Sequence, residues 1–174
     1  MKSNSAMHAD ATPLHFRQPT AEDGFALNQL VAASPPLDTN SVYCNLLQCT
    51  HFAATSVAVE NGGRLVGFIS AHYLPEKSDT VFVWQVVVDK SQRGRGLAKK
   101  MLMEIIKRSA CEGVSFLETT ITPDNEASWA LFRSFARDLQ TELNHSIWFE
   151  KDAHFGGQHD SEALLRIGPF SAPA

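Results

Sequence analysis

One stretch of this sequence carries the residue types needed to hold a diphosphate. It runs Val86-Val87-Val88-Asp89-Lys90-Ser91-Gln92-Arg93-Gly94-Arg95-Gly96-Leu97-Ala98: an apolar run, a basic turn with two glycines, then the start of a periodic apolar segment. Glycines let a turn curl until several backbone N–H groups converge. A following helix N-terminus adds about half a positive charge, and Arg93 and Arg95 add whole ones. The spacing and Gly-Lys-Ser/Thr ending of a nucleotide P-loop are missing, and nothing resembles the repeated strand-helix-strand array of a dinucleotide site. A second group, His154, His159, Asp160 and Glu162, has ordinary metal-ligand types. No third imidazole has suitable spacing, so no metal is expected.

These residues must be positioned by a β-α-α-β-β-β-α-β-α-β-β order. Leu14–Arg17 alternates like a short strand, and Pro19–Gly24 supplies helix-start chemistry before Phe25, Leu27, Leu30 and Val31. Pro35-Pro36 breaks that helix, and a second helical segment carries Tyr43, Leu46 and Leu47. Thr55–Val59, Asn61-Gly62-Gly63 and Leu65–Tyr73 read as a hairpin, and Val81–Asp89 as a further strand. Leu97, Met101, Leu102, Ile105 and Ile106 form one stripe of a helix over Gly96–Cys111 that Gly113 should cap. Val114–Thr122 is a strand, Asn125 opens a helix through Phe135, and Ile147–Phe149 and Leu164–Ile167 close the sheet. Phe155–Glu162 reads as a polar loop. Antiparallel hairpins followed by a strand-helix-strand crossover specify an α/β (α+β) fold, a mixed sheet with helices on both faces.

With 174 residues, 44% of them hydrophobic, the chain closes one core. We expect an N-terminal arm over residues 1–12 and a single domain over 13–171. A net charge of −4, with basic residues gathered only around Gln92–Lys100, argues against nucleic acid and membrane surfaces as partners and favours a small ligand. No segment has the length of a membrane span or the apolar run of a secretory signal, so a cytoplasmic protein is expected. Cys44, Cys49 and Cys111 show no metal-ligand spacing and read as reduced, packed thiols.

In its strand-turn-helix context, Arg93-Gly94-Arg95-Gly96-Leu97-Ala98 resembles the coenzyme signature of the GNAT acetyltransferase superfamily, Gln/Arg-x-x-Gly-x-Gly/Ala. The resemblance implies acetyl-CoA as cosubstrate, with its diphosphate on Arg93, Gly94, Arg95, Gly96, Leu97 and Ala98. It also implies that the parallel strands Val83–Asp89 and Phe116–Thr122 splay at their C-terminal ends. The pantetheine arm then pairs with Val86 and Val88, and a backbone N–H near Val86 faces the thioester oxygen. A second superfamily element, Asn-x-x-Ala-x-x-Leu-Tyr, is matched by Asn125 to Phe132 with Ser128 in place of Ala. Phe132 stands where many relatives carry a proton-donating tyrosine; it cannot donate, and it reads equally as core.

Other segments are similar to the diaminobutyrate acetyltransferase family of ectoine biosynthesis: Pro36–Tyr43, Cys49–Phe52, Phe82–Val86, Glu118–Asn125, His154–Gly157 and Arg166–Phe170. That resemblance implies acetylation of the γ-amine of L-2,4-diaminobutyrate, and relatives are commonly homodimers. Such a substrate carries two ammoniums and one carboxylate. Asp38 and Glu162 suit the cations, Trp84 offers a cation–π wall, and Asn40, Tyr43, Gln85 and Thr120 offer neutral hydrogen bonds. Asp38 reads equally as a helix cap and Trp84 as sheet core. Glu162, with His159 or a water, is the candidate to take the amine's proton, while Asp38, Asn40 and Tyr43 clamp the amino-acid end. A GNAT enzyme for another small amine, or a non-catalytic acyl-CoA sensor, would use the same turn.

Overall fold

A computed structural model describes residues 13–171; the expected arm over residues 1–12 lies outside the described residues. The elements are β1 (His15–Arg17), α1 (Asp23–Ala32), α2 (Val42–Thr50), β2 (Val57–Asn61), β3 (Arg64–Leu74), β4 (Lys77–Val88), α3 (Leu97–Ile106), β5 (Phe116–Ile121), α4 (Glu126–Asp138), β6 (Leu143–Phe149), α5 (Lys151–Phe155) and β7 (Glu162–Ile167). The strands form one seven-stranded sheet in the order β1-β2-β3-β4-β5-β7-β6. Among the described residues only β4 and β5 run parallel.

Strand alternation sends successive side chains to two cores. Val57 and Val59 of β2 pack with Leu97, Met101, Leu102 and Ile105 of α3 and Phe132 and Phe135 of α4. Ala58 between them packs with Leu27, Leu30 and Val31 of α1 and Cys49 of α2 on the other face. Burial pushes the thiols of Cys49 and Cys111 up to about 12 and about 11, which keeps both protonated and unreactive at neutral pH.

Several boundaries differ from the sequence reading. A short helix absent from the sequence reading, α5, precedes the expected Phe155–Glu162 loop and ends at its first residue, stabilised where the Glu150 N–H donates to His154 Nδ1 at 2.8 Å. Glu162 is the first residue of β7, not a loop residue. Helix α3 ends at Ile106, so Gly113 does not cap it; Arg108 turns inward to donate to the Ser56 carbonyl, and Ser109–Cys111 forms a separate turn. Ser41 caps α2, its hydroxyl accepting from the Cys44 N–H, so Asp38 is free of that duty.

Two irregularities in the sheet shape the site. Ser70 pairs with Gln85 while the adjacent Ala71 pairs with Val83, so Trp84 is an extra residue bulging from β4. The parallel ladder between β4 and β5 stops at Val83 and Thr119, where the Thr119 hydroxyl donates to the Val83 carbonyl at 2.9 Å. Beyond that point Thr120 and Ile121 pair only with Leu164 and Ala163 of β7, and the two parallel strands part. Below the fork, the buried Glu118 accepts from Lys77 of β4 at 2.8 Å and from Arg166 of β7, joining three strands through one carboxylate.

Candidate active site

The first half of the site is made of backbone. The Asp89 N–H donates to the Val66 carbonyl at 2.8 Å, which makes these two a hydrogen-bonded antiparallel pair; the register then alternates, with Val88 opposite Gly67 and Val86 opposite Ile69. By that alternation the N–H and C=O groups of Val86 and Val88 point away from β3, into the gap that β5 has left. The Val88 carbonyl receives the Arg93 Nε at 3.0 Å. The chain then leaves the strand through Asp89, whose carboxylate accepts from the Ser91 N–H at 2.9 Å and from its hydroxyl at 2.6 Å.

Gly94 and Gly96 follow at φ +72° and +71°, and Gly96 is the N-cap of α3. A side chain at either position would meet no atom within 4 Å, so glycine is required by the left-handed backbone and not by crowding. Lys100 makes the first helical bond, to the Gly96 carbonyl at 3.1 Å. The preceding N–H groups, at Leu97, Ala98 and Lys99, are the ones helix geometry leaves free for an anion. Leu97 anchors this turn in the core at 3% exposure while Ala98 packs at its edge. Arg95 reaches the Gln92 side chain at 3.0 Å.

The second element lies at the far side of the fork. Asn125 caps α4, its side-chain oxygen accepting from the Ser128 N–H at 3.1 Å. Phe132, one to two turns on, is buried in the core cluster under the sheet. The core reading of Phe132 is therefore the one its packing fits.

The other half is made of side chains brought from both ends of the chain. His159 Nε2 lies 3.6 Å from Asp38 Oδ2 and 4.0 Å from Glu162 Oε1. His159 Nδ1 is 2.7 Å from the Asp160 carbonyl, an acceptor only, so Nδ1 donates to it and Nε2 is the ring nitrogen that faces the carboxylates. Burial pushes the Glu162 carboxyl above the ordinary range, and the Asp38 charge pushes the same way; the Thr120 hydroxyl and His159 oppose them. Glu162 Oε2 is buried and has no hydrogen-bond partner among the described residues.

Asn40 Nδ2 sits 3.5 Å from Gln85 Oε1, linking the Asp38 loop to the bulged strand. Trp84 is 46% exposed, which rules out its reading as sheet core, and its ring lies 6.3 Å from Phe52. Phe52 stacks on His72 at 4.8 Å, and burial pushes His72 toward its neutral form. Tyr43 is 69% exposed on α2, and no hydrogen bond among the described residues ties its hydroxyl to the Asp38, His159 and Glu162 group. Asn28, Asn45, Gln48, Phe52 and His72 were not singled out in the sequence. The signal available was on α2 and just past it: Asn45, Gln48 and Phe52 recur three and four apart, facing the sheet, where apolar residues are the rule.

Glu162 Oε2, Gln48 Nε2, Ser70 Oγ and His72 Nδ1 are the buried side-chain atoms without a partner among the described residues. Gln48 sits on α2, and Ser70 and His72 on the β3 face beneath it. Buried polar atoms are nearly always paired, so orphans mark a place shaped for something other than stability. Among the described residues no group of three or more His, Cys, Asp or Glu side chains is arranged to hold a metal, and His154 is engaged by the start of α5.

A parallel strand pair forked over a glycine turn and a helix N-terminus defines a class. The model of the acetyltransferase (GNAT) family matches residues 26–136. A solved structure only 15% identical, the ribosomal-protein-S18-alanine N-acetyltransferase of Escherichia coli, shares this fold with a TM-score of 0.65 over 92% of this chain and 97% of that one. L-2,4-diaminobutyric acid acetyltransferase of Methylotuvimicrobium alcaliphilum is 49% identical over 89% of this chain and 90% of its own length. That of Vibrio cholerae is 45% identical over 92% and 93%. The diaminobutyrate acetyltransferase of Paenibacillus lautus, solved with its substrate L-2,4-diaminobutyric acid and coenzyme A, is 38% identical, with a TM-score of 0.88 over 94% of this chain and 99% of that one. The chain belongs to the acetyltransferase (GNAT) family and, within it, to the L-2,4-diaminobutyric acid acetyltransferases.

Proposed function

We propose that this protein transfers the acetyl group of acetyl-CoA to the γ-amine of L-2,4-diaminobutyrate, giving the N4-acetyl product used toward ectoine. The observation that carries this reading is Glu162: a largely buried carboxylate, raised above its ordinary range, with one oxygen unpaired and the other 4.0 Å from His159 Nε2. The likeness to relatives of that name, one of them solved with the amino acid bound, supports the acceptor.

The γ-ammonium resembles that of lysine, with a pKa of about 10.4, so roughly one molecule in a few thousand is free amine at pH 7. Glu162 accepts its proton, and the raised affinity of this carboxyl for protons favours the transfer. The amine then attacks the thioester carbonyl directly in a ternary complex. The Val86 N–H, fixed in the fork, faces the oxygen on which charge develops, and the Arg93–Ala98 turn with the start of α3 holds the diphosphate. Phe132 cannot protonate the departing thiolate; a coenzyme thiol with a pKa near that of cysteine, about 8.5, leaves with little help.

The α-amine is the more easily deprotonated of the two, so selectivity for the γ-nitrogen rests on geometry. Asp38, Asn40 and Tyr43 hold the amino-acid end with Gln85 and Thr120, and the exposed face of Trp84 receives a cation. Residues 13–171 act as one catalytic domain. The protein works in the cytoplasm as a homodimer. Edge strand β6 supports the dimer: Leu143–Phe149 contains no charged residue and exposes Ile147 and Trp148, and sedimentation of the free protein tests it.

Incubation with acetyl-CoA and L-2,4-diaminobutyrate, followed by NMR location of the new acetyl group, tests the reaction. Acetyl on the γ-nitrogen supports it. Turnover of a polyamine or lysine analogue, with none of diaminobutyrate, overturns it.

A further inference from the structure

The loop that carries Asp38 and Asn40 is held from below by a run of amides with one fixed direction. Asn28, on α1, donates from Nδ2 to the Asn40 carbonyl at 2.8 Å and to Asn45 Oδ1 at 3.0 Å. Asn45, on α2, donates in turn from Nδ2 to Gln48 Oε1 at 2.9 Å. A side-chain amide can often turn over and exchange donor for acceptor, but a backbone carbonyl only accepts. The Asn40 carbonyl therefore fixes Asn28 as donor, which fixes Asn45 as acceptor toward Asn28 and donor toward Gln48. Asn45 and Gln48 are fully buried, so water does not compete for these bonds.

Asn28 does not sit in the acceptor group itself. Its two hydrogens join α1, α2 and the loop at Asn40, whose own side chain reaches Gln85 on the bulged strand. Asp38 lies two residues before Asn40 and is 87% exposed, with His159 as its ion-pair contact among the described residues. Little in its own packing holds this carboxylate in place; its backbone is anchored on one side by the Leu37 N–H, which donates to the Ser34 carbonyl at 3.1 Å, and on the other by the bond from Asn28 to the Asn40 carbonyl.

We propose that Asn28 is a positioning residue for the amino-acid end of the acceptor. It sets the height of the Asp38–Asn40 loop over the bulge at Trp84, and so the affinity for the amine substrate, without touching the coenzyme. This inference rests on the acetyl transfer proposed above.

The test uses Asn28→Asp and Asn28→Ser in the full chain, with steady-state kinetics in both substrates and thermal unfolding of each variant. Aspartate offers oxygen to a carbonyl that cannot turn over, so Asn28→Asp is expected to raise the KM for diaminobutyrate about tenfold, the size of one lost hydrogen bond to a well-defined partner. Serine keeps a donor but shortens the reach, and a smaller rise of about threefold is expected. The KM for acetyl-CoA should stay within about twofold in both. An unchanged diaminobutyrate KM in either folded variant overturns the proposal, as does an equal rise in both constants, which a general loosening of the fold would give. If Asn28→Asp does not fold, Asn28→Ser decides alone. Wild-type enzyme assayed alongside separates the two readings: failure to acetylate diaminobutyrate counts against the reaction, whereas normal wild-type turnover with unmoved variants counts against Asn28.

Discussion

His159 and Asp38, 121 residues apart in the chain, meet at 3.6 Å and bring opposite ends of the sequence together at the proposed acceptor site. The contact spans the break after α1 and the loop before β7.

Glu162→Gln separates chemistry from stability. Loss of the proton acceptor is expected to lower kcat by about 100-fold or more with little change in the acetyl-CoA KM. The fold raises this carboxyl, so the stability linked to it is full below the unfolded glutamate value and is lost as pH rises through the folded one. At neutral pH the variant escapes that loss and should melt on the order of 2 °C higher than wild type. A lower melting temperature at neutral pH together with normal kcat would remove Glu162 from the mechanism.

The same carboxyl shapes the pH profile. Activity should fall on the acid side as Glu162 becomes protonated, with a midpoint above the ordinary glutamate range of about 4.3. That limb should be missing from the residual activity of Glu162→Gln, as measured by kcat/KM for the amine between pH 4 and 8.

Arg93→Ala is expected to raise the acetyl-CoA KM about tenfold and leave the amine KM unchanged, as for one lost charge-assisted contact. Gly96→Ala should act on the same constant through the backbone. A methyl group at φ +71° costs about 1–2 kcal/mol although space is open around it, and the turn relieves the strain by losing its curl. Substrate-specific kinetics that place either effect on the amine would overturn the assignment of this turn.

Glu118→Ala tests the sheet below the fork. It leaves Lys77 and Arg166 without their shared carboxylate, and because both cations are partly exposed the expected loss is at the lower end for a broken buried pair, about 2–3 kcal/mol. Urea unfolding should show this as a lower midpoint at unchanged slope.

Much of this architecture was legible because it obeys period. The α3 stripe from Leu97 to Ile106, the Asn61–Gly63 turn and the strand-turn-helix around Gly94 and Gly96 each follow from spacing and turn chemistry. The misplacements occur where long-range contacts overrule local pattern. Arg108 ends α3 early by reaching Ser56, 52 residues away, and Glu162 enters a strand because Phe149 of β6 offers it a ladder partner. Asp38 looked like a helix cap as readily as a ligand group; only the observed bond from the Cys44 N–H to Ser41 separates the two. The amide run of Asn28, Asn45 and Gln48 was invisible for another reason. Each residue is unremarkable alone, and their meaning lies in the packing of α1 on α2.

The parting of β4 and β5 leaves the Val86 and Val88 amides without a neighbouring strand in the middle of a sheet. In the free protein these two should trade their hydrogens for deuterium much faster than the flanking Val87 and Asp89, which are locked to β3. A pantetheine arm laid along the gap would serve as the missing strand, and on loading with coenzyme the pair should become as protected as their neighbours. Exchange at these two backbone nitrogens would then time the arrival of the acyl donor.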